Sequence, residues 1–514
     1  MNVRDAMVLM GANANGISAW LFDNEIKDFS IDSRSVEAGE LFFALSQEDY
    51  ARAGFNGTFA DGHEYIRDAF ARGAIAAVAR ADRVKDDPDL VSLSDRLLFV
   101  EDAIAALQTL AHKVYAGWGK TVVGITGSAG KTTAKELTAH LISASGRRVL
   151  KSERNYNNGL GLPLSVLRMV SEGRSPSQFD VAVLEMGMSS PTHEIQRLCQ
   201  ITPPDIAVEL MVAPVHLEYL GSMENIAAAK AELIEGLKPE GTAILNADDD
   251  WVMGMRSKHS GPTMTFGLER SADVTAKNVD TSHLGEISFK LVTPLGEASA
   301  RLPMSGRHNL MNALAAASVA FCFEMAPAEI AEALATATPP TMRGEVLDFA
   351  AGFRVVDDSY NSNPRSLLNM VRTIAESGNE ASRRIVIAGE MLELGPEAGL
   401  LHRDAGREIA AVGVDVLWGV RGLAQQLVDG ADEAGLPVAR YFENSEQAAE
   451  ALISEVRAGD LILVKGSRGV ATDKIVKAMK ERFPLAGGNR TVREGFGTAL
   501  PNDRATALPP DVGE

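Results

Sequence analysis

Short apolar runs alternate along this chain with longer segments in which apolar residues recur at helical spacing. Residues 121–126 are apolar and read as a buried strand. Residues 131–145 place four apolar side chains on one helical face, and Gly146 is a natural stop for that helix. Buried strands that alternate with helices are typical of a parallel sheet, so the pattern predicts an α/β protein.

The alternation continues through most of the chain and predicts three α/β domains. We expect a small N-terminal domain at residues 1–117, a central domain at 118–340 and a C-terminal domain at 341–485. Residues 486–514 are rich in Gly, Pro, Arg, Asn and Thr and lack an apolar period, so they are predicted to form a disordered tail.

Two segments depart from this alternation of strands and helices. Residues 47–63 are polar and rich in glycine, which predicts a surface loop in the N-terminal domain. Residues 263–304 alternate polar and apolar side chains around turns, which predicts a small antiparallel layer appended to the central domain.

Composition narrows the class of protein. The chain has 514 residues, of which 50 are basic and 69 are acidic, and its net charge of −19 argues against general binding to nucleic acid or anionic membranes. The two cysteines are too few for a disulfide framework or a cysteine metal cage. No apolar run is long enough to span a bilayer and no signal peptide is recognisable, so we expect a cytoplasmic protein.

The strongest chemical signal follows the strand at 121–126, where seven residues read Gly127, Ser128, Ala129, Gly130, Lys131, Thr132 and Thr133. A strand, a glycine turn, a Lys-Thr pair and a helix are the parts of a phosphate-binding loop. The glycines let backbone N–H groups approach phosphate oxygens, and the helix N-terminus adds positive potential. Lys131 can neutralise phosphate charge and the Thr132 hydroxyl can ligate Mg²⁺, so the loop predicts an ATP site.

Other polar residues are weaker candidates. Glu185 ends a predicted strand, where it is either a solvated carboxylate or a second metal contact. His216 and Lys230 are, on composition alone, more typical of ordinary surface or core positions. Asn157 and Asn158 stand in an amide-rich turn that serves either turn formation or recognition of a polar substrate.

The predicted C-terminal domain has two polar loops that follow strands. One contains residues 357–364, with two acids, a tyrosine and two asparagines, and the other contains residues 465–468. Ligands of open α/β sheets bind at the carboxyl ends of strands, so both loops are candidate binding sites.

Taken in order, these segments resemble the Mur ligases, the ATP-dependent amide-forming enzymes of peptidoglycan precursor synthesis. The resemblance covers roughly residues 28–482 and includes the phosphate loop, Glu185 with Met186 and Gly187, the region of His216 and Lys230, residues 306–312 and residues 342–344. Within the family, the resemblance is strongest to the members that add a D-alanyl-D-alanine dipeptide, because residues 357–364 and 389–395 match the segments typical of those members. Asn361-Ser362-Asn363-Pro364 stands where the ligases that add the third residue usually carry Asp-Asn-Pro-Arg.

The resemblance implies roles that spacing alone does not give. Thr132 and Glu185 would hold magnesium, His216 would support a second ion, and Lys230 would be carbamylated and act as an anionic ligand. Asn309 would contact adenine, Asp358 the ribose, and Arg343 the transferring phosphate, and Asn312 would also belong to the ATP site. The implied substrate-binding residues are Ser33, Arg34, Asn157, Asn158, Tyr360, Asn361, Asn363, Lys465 and Ser467.

It also implies a fold, a reaction and its partners. The central domain would be a P-loop ATPase and the C-terminal domain a Rossmann-like domain that binds the acceptor. The enzyme would use ATP and two Mg²⁺ ions to join D-Ala-D-Ala to UDP-MurNAc-tripeptide. We expect a monomer that has no membrane span and no nucleic-acid partner.

Three alternatives stay open at this point. The first is a Mur-type ligase that adds a single amino acid. The second is a folylpolyglutamate-synthase-like ligase, against which the segment Asp32-Ser33-Arg34 ahead of the phosphate loop argues. The third is a P-loop ATPase coupled to a protein partner, which needs neither Lys230 nor residues 357–364.

Overall fold

The computed structural model describes residues 1–13, 16–55, 58–153, 155–188, 193–214, 220–377 and 380–486. These residues form three sheets of four, nine and six strands, which confirms the three-domain α/β fold class. The position of His216 and the predicted tail beyond residue 486 lie outside the described residues. The domain boundaries given above stay predictions.

The N-terminal sheet is parallel throughout, in the order β1-β2-β3-β4. Its strands are β1 (Phe29–Ser30), β2 (Leu41–Phe43), β3 (Ala76–Arg80) and β4 (Leu97–Val100). The helices of this region are α1 (Val3–Met10), α2 (Gln47–Arg52), α3 (Ile66–Ala71), α4 (Ala81–Val84), α5 (Pro88–Val91) and α6 (Ala103–Trp118).

The prediction of a surface loop at residues 47–63 was wrong for its first part, because helix α2 occupies Gln47–Arg52. Ser46 caps this helix by accepting a hydrogen bond from the Asp49 N–H at 3.1 Å. Asp49 is fully buried, where its carboxylate forms an ion pair with Arg80 Nη1 at 2.7 Å and accepts the Ala103 N–H at 3.1 Å. The segment is polar because it contributes a buried charge pair to the domain.

The central sheet has the order β13-β12-β11-β10-β9-β8-β5-β7-β6. Its parallel part runs from β6 to β11, and β11, β12 and β13 pair antiparallel at its far edge, so the antiparallel layer continues the same sheet. The strands are β5 (Thr121–Thr126), β6 (Val149–Lys151), β7 (Val181–Glu185), β8 (Ile206–Glu209), β9 (Thr242–Asn246), β10 (Thr263–Gly267), β11 (Val274–Asp280), β12 (Ile287–Thr293) and β13 (Gly296–Leu302).

Helices cover both faces of the central sheet. Val123 and Ile125 of β5 belong to one apolar core and Val122 to the other, as the two-residue period of a strand requires. The helices of this domain are α7 (Lys131–Ala144), α8 (Gly161–Leu167), α9 (Glu194–Ile201), α10 (Met223–Glu235), α11 (Asp250–Gly254), α12 (Arg307–Cys322) and α13 (Pro327–Leu334).

The C-terminal sheet has the order β14-β15-β19-β16-β17-β18, with β14 antiparallel at one edge and the other strands parallel. Its strands are β14 (Glu345–Asp348), β15 (Arg354–Asp358), β16 (Arg383–Gly389), β17 (Val416–Val420), β18 (Ala439–Phe442) and β19 (Asp460–Lys465). Its helices are α14 (Pro364–Ser377), α15 (Ala398–Val412), α16 (Ala424–Glu433), α17 (Ser445–Glu455) and α18 (Asp473–Arg482). Among the described residues, no helix is both long and apolar enough to cross a membrane.

The buried Asp49–Arg80 pair generates a stability prediction. We expect Asp49→Ala to lower the free energy of unfolding of the N-terminal domain by about 1–3 kcal/mol, because Arg80 and the Ala103 N–H lose their buried acceptor while Asp82 and Glu48 still pair with the guanidinium. Hydrogen–deuterium exchange of the amides of α2 and β3 measures that loss. Arg4→Ala is the control, because Arg4 and its partner Asp23 are mostly exposed and the pair is worth less than about 1 kcal/mol. Equal exchange in the two variants would contradict the prediction.

Candidate active site

The loop between β5 and α7 has the backbone of a phosphate cradle. Gly127 and Gly130 adopt positive φ angles of +152° and +87°, which side chains rarely tolerate. A Cβ on Gly130 would lie 2.3 Å from Asn312 Oδ1, and one on Gly127 would lie 2.8 Å from Leu210 Cβ. Because α7 begins at Lys131, the free N–H groups of its first turn face this loop and favour an anion.

Lys131 lies against the loop that precedes it. Its Nζ donates a hydrogen bond to the Gly127 carbonyl at 2.8 Å. Burial lowers the pKa of the Lys131 ammonium, and the nearby positive charge of Arg343 lowers it further, while the charges of Glu185 and Glu209 oppose the shift. A phosphate group would supply the anionic partner that this buried ammonium needs.

The structure brings Thr132 and Glu185 together, the two residues that the family resemblance assigns to magnesium. Strands β5 and β7 are neighbours, so the end of β7 lies beside the phosphate loop. Thr132 Oγ1 donates to Glu185 Oε2 at 2.9 Å, and Asn157 Nδ2 donates to Glu185 Oε1 at 2.9 Å. Glu185 is only 3% exposed, so it is a buried acceptor and not a solvated strand end. A hydroxyl beside a carboxylate fits the oxygen ligands that Mg²⁺ prefers.

Lys230 and Glu209 form a second buried group of charges on this edge. Lys230 lies on α10 and is 2% exposed, and Glu209, the last residue of β8, is fully buried. Burial lowers the pKa of Lys230 to about 7, with a further contribution from the charge of Lys131. Burial also raises the pKa of Glu209 to about 8. In the described part of the chain, neither carboxylate oxygen of Glu209 has a hydrogen-bond partner.

Glu209 is a candidate that the sequence analysis missed. Its signal was the same as that of Glu185, an acid at the carboxyl end of a buried strand. Glu209 pairs in register with Thr126, the residue that leads into the phosphate loop. The strand order of the sheet was needed to place the two acids on either side of β5. Among the residues that the structure describes, no group of three or more His, Cys, Asp and Glu side chains is arranged to hold a metal.

Helix α12 carries Asn309 and Asn312, the two asparagines that the family resemblance assigns to the ATP site. Asn309 and Asn312 are buried one turn apart, and Asn309 Nδ2 donates to the Ser305 carbonyl at 2.8 Å. His308, in the first turn of α12, is a second candidate that the sequence analysis missed. It lies near charged residues of the C-terminal domain. Burial lowers the pKa of His308 to about 4, and the opposing charges of Asp358 and Lys465 act on it from the C-terminal domain.

The loop after β15 is held in place by Lys465 at the end of β19. Lys465 Nζ donates to Asp358 Oδ2 at 2.6 Å and to the Asn361 carbonyl at 2.9 Å. The ring of Tyr360 lies under the guanidinium of Arg343, with 4.1 Å between Cζ and the ring centroid. The structure therefore brings Arg343, Asp358, Tyr360 and Lys465 together.

Several predicted substrate-binding side chains already make local hydrogen bonds. Asn158 Oδ1 accepts the N–H groups of Leu160 and Gly161, which is turn chemistry. Asn363 Oδ1 accepts the Ser366 N–H at 2.9 Å, at the start of α14. Asn361 likewise accepts the N–H of its neighbour Ser362, whereas the Ser467 hydroxyl accepts the N–H of Leu392, which is 75 residues away in the sequence.

Ser33 and Arg34 lie in the N-terminal domain, on a different sheet from the phosphate loop. Arg34 forms a bidentate ion pair with Asp32, with Nε–Oδ1 at 2.9 Å and Nη2–Oδ2 at 2.7 Å. The side chain of Arg34 is 62% exposed, whereas Ser33 is buried.

Comparison with known proteins gives a consistent result over most of the chain. Residues 125–320 match the Mur ligase middle domain, and residues 342–468 match the Mur ligase glutamate ligase domain. The UDP-N-acetylmuramoyl-tripeptide–D-alanyl-D-alanine ligase of Bacillus subtilis is 32% identical over 458 residues, which are 89% of this chain and 93% of that protein.

Comparison with solved structures points to the same family. MurF from Acinetobacter baumannii has a TM-score of 0.78 at 26% identity, covering 93% of this chain and 99% of that one. MurF ligase from Thermotoga maritima in complex with ADP has a TM-score of 0.73 at 25% identity, covering 90% of this chain and 98% of that one. The chain therefore belongs to the Mur ligase family, in the group of the UDP-N-acetylmuramoyl-tripeptide–D-alanyl-D-alanine ligases.

Proposed function

We propose that this protein joins D-Ala-D-Ala to the tripeptide carboxylate of UDP-MurNAc-tripeptide, with ATP as the energy source. The products are UDP-MurNAc-pentapeptide, ADP and phosphate. The observation that carries the proposal is the position of Arg343, which comes from beyond the central sheet and lies close enough to Lys131 to shift its pKa. Two cations from different parts of the chain thus converge on the phosphate loop.

This convergence suits the activation of a carboxylate. A carboxylate does not react with an amine at neutral pH, because its leaving group would be oxide. An oxygen of the tripeptide carboxylate attacks the γ-phosphorus of ATP, the bond to the β–γ bridging oxygen breaks, and ADP leaves with that electron pair. Both reactants are anionic, so Lys131 and Arg343 lower the barrier by offsetting their repulsion.

The amine of D-Ala-D-Ala then attacks the acyl phosphate and phosphate is expelled. We place the acceptor at the loop after β15, near Asn361 and Asn363, because this loop lies on the same side as Arg343. The local hydrogen bonds of the two asparagines fix the loop and leave their remaining amide groups for recognition. Ser33 and Arg34 would bind the nucleotide-sugar end.

The residues present also fit magnesium. Bound Mg²⁺ would supply Lewis-acid neutralisation of the phosphate oxygens. Thr132 and Glu185 would hold one ion, and a carbamylated Lys230 with His216 would hold a second. Lys230 suits this modification, because an amine must be neutral to attack CO₂ and burial has lowered its pKa to about 7. The expectation of a monomer stays a prediction.

Phosphate release tests the function as a whole. We expect release from ATP and Mg²⁺ only when both UDP-MurNAc-tripeptide and D-Ala-D-Ala are present, with a product heavier by one dipeptide residue mass. Release without the dipeptide would favour a plain ATPase, and release with a single amino acid in its place would favour another Mur-type ligase.

Lys131→Ala should lower kcat by at least about 10²-fold, because removing one preorganised charge at the transition state has that effect. Steady-state phosphate release measures this loss. Lys113→Ala is the control, since Lys113 is an exposed residue of α6. Retention of more than about a tenth of the wild-type kcat would refute the role of Lys131.

Carbamylation of Lys230 should depend on pH. The neutral amine attacks CO₂ and releases one proton, so at constant dissolved CO₂ the carbamate should increase between about pH 6 and pH 8 as the amine loses its charge. Carbon-13 NMR of protein equilibrated with labelled CO₂ measures the carbamate signal. Lys230→Arg is the control and should lack it. A midpoint near pH 10, the ordinary range of lysine, would contradict the prediction.

A further inference from the structure

The segment that joins the central and C-terminal domains is fixed in an uncommon conformation. Met342 has a φ of +60°, in the left-handed region that non-glycine residues rarely occupy, and Gly344 has a φ of +79°. Such a conformation costs free energy and persists only where surrounding contacts hold it. Arg343 lies between these two residues, so the direction of its side chain depends on those contacts.

The contacts come from the end of β15. The Tyr360 N–H donates to the Met342 carbonyl at 3.3 Å, and the Gly344 N–H donates to the Asp357 carbonyl at 2.8 Å. The Tyr360 ring adds a cation–π contact with Arg343 at 4.1 Å. Two backbone hydrogen bonds and one ring therefore attach Arg343, which lies near the start of the C-terminal domain, to the end of β15.

The same segment touches the nucleotide side of the central domain. A Cβ on Gly344 would lie 3.8 Å from Asn309 Nδ2, which is ordinary van der Waals contact. Arg343 is also near enough to Lys131 for the two charges to interact. One face of the Arg343 guanidinium is thus covered by Tyr360 while the group lies at the ATP site.

We propose that Tyr360 is a positioning residue whose ring holds the Arg343 guanidinium toward the phosphate loop, so that the loop proposed to bind the acceptor also sets the geometry of phosphoryl transfer. This inference rests on the proposed function. Tyr360 then acts before the acceptor reacts, through Arg343, and its contribution lies in acyl phosphate formation rather than in affinity for D-Ala-D-Ala. A planar guanidinium stacks on an aromatic face in one orientation, which makes the ring and not the hydroxyl the essential part.

Acyl phosphate formation can be measured without the dipeptide. The enzyme is given ATP, Mg²⁺, UDP-MurNAc-tripeptide and hydroxylamine, and the hydroxamate of the tripeptide is quantified by mass spectrometry. We expect Tyr360→Leu to lower its rate roughly tenfold, as loss of a half-buried cation–π contact implies, and Tyr360→Phe to restore most of it. In an Arg343→Ala background, Tyr360→Leu should have almost no further effect, because the group it positions is gone.

Phe22→Leu is the matched control, because Phe22 also stacks with an arginine, Arg4, at 4.8 Å in the N-terminal domain. It should leave the hydroxamate rate unchanged. Binding of an ATP analogue by Tyr360→Leu establishes that the variant is folded. An unchanged hydroxamate rate with a raised KM for D-Ala-D-Ala would overturn the inference, as would equal effects of Tyr360→Leu in the two backgrounds. Absence of hydroxamate with the wild-type enzyme, while its phosphate release still requires both substrates, would overturn this inference and leave the proposed function standing. Phosphate release that does not require D-Ala-D-Ala would instead overturn the proposed function.

Discussion

The carboxyl ends of neighbouring parallel strands meet at one edge of the central sheet, and the positions of the phosphate loop, Glu185 and Glu209 depend on that constraint. Strand β5 lies between β7 and β8, so the phosphate loop is flanked by Glu185 on one side and Glu209 on the other. The 2.9 Å contact between Thr132 and Glu185 is its direct result. The two carboxylates at this edge suit a bound cation but would repel a phosphate. Positively charged side chains are therefore required there as well.

Those cations have limited contact with water, which strengthens their interactions and raises the free-energy cost of charging them. Lys230 is buried and Lys131 is half-buried, and both lie near Glu185 or Glu209, where charges interact more strongly than in solution. An unpaired buried charge is destabilising, and the lowered pKa values of both lysines are the consequence. This arrangement of charges destabilises the folded protein. When an anionic substrate supplies the missing partner, the same preorganised charges stabilise the reacting groups.

Arg343 completes the site from outside the central sheet. Its backbone is attached to the end of β15 by hydrogen bonds, and its guanidinium rests on Tyr360. Lys465 fixes the same loop through Asp358 and the Asn361 carbonyl. A displacement of the C-terminal domain would therefore carry Arg343 and the proposed acceptor loop together, as a consequence of how the connecting segment is held.

The sequence by itself determined whatever depends on neighbours along the chain. The phosphate loop, its strand and helix, and the turn chemistry of Asn158 follow from local backbone preferences and short-range hydrogen bonds. The resemblance to a family also pointed to Glu185 and Arg343. Only the tertiary structure decided that residues 47–52 form a helix, because Asp49 is buried against Arg80 at a separation of 31 residues. It alone revealed Glu209 and the stacking of Arg343 on Tyr360, since strand order and packing between domains bring distant residues together and leave no periodic signal in the sequence.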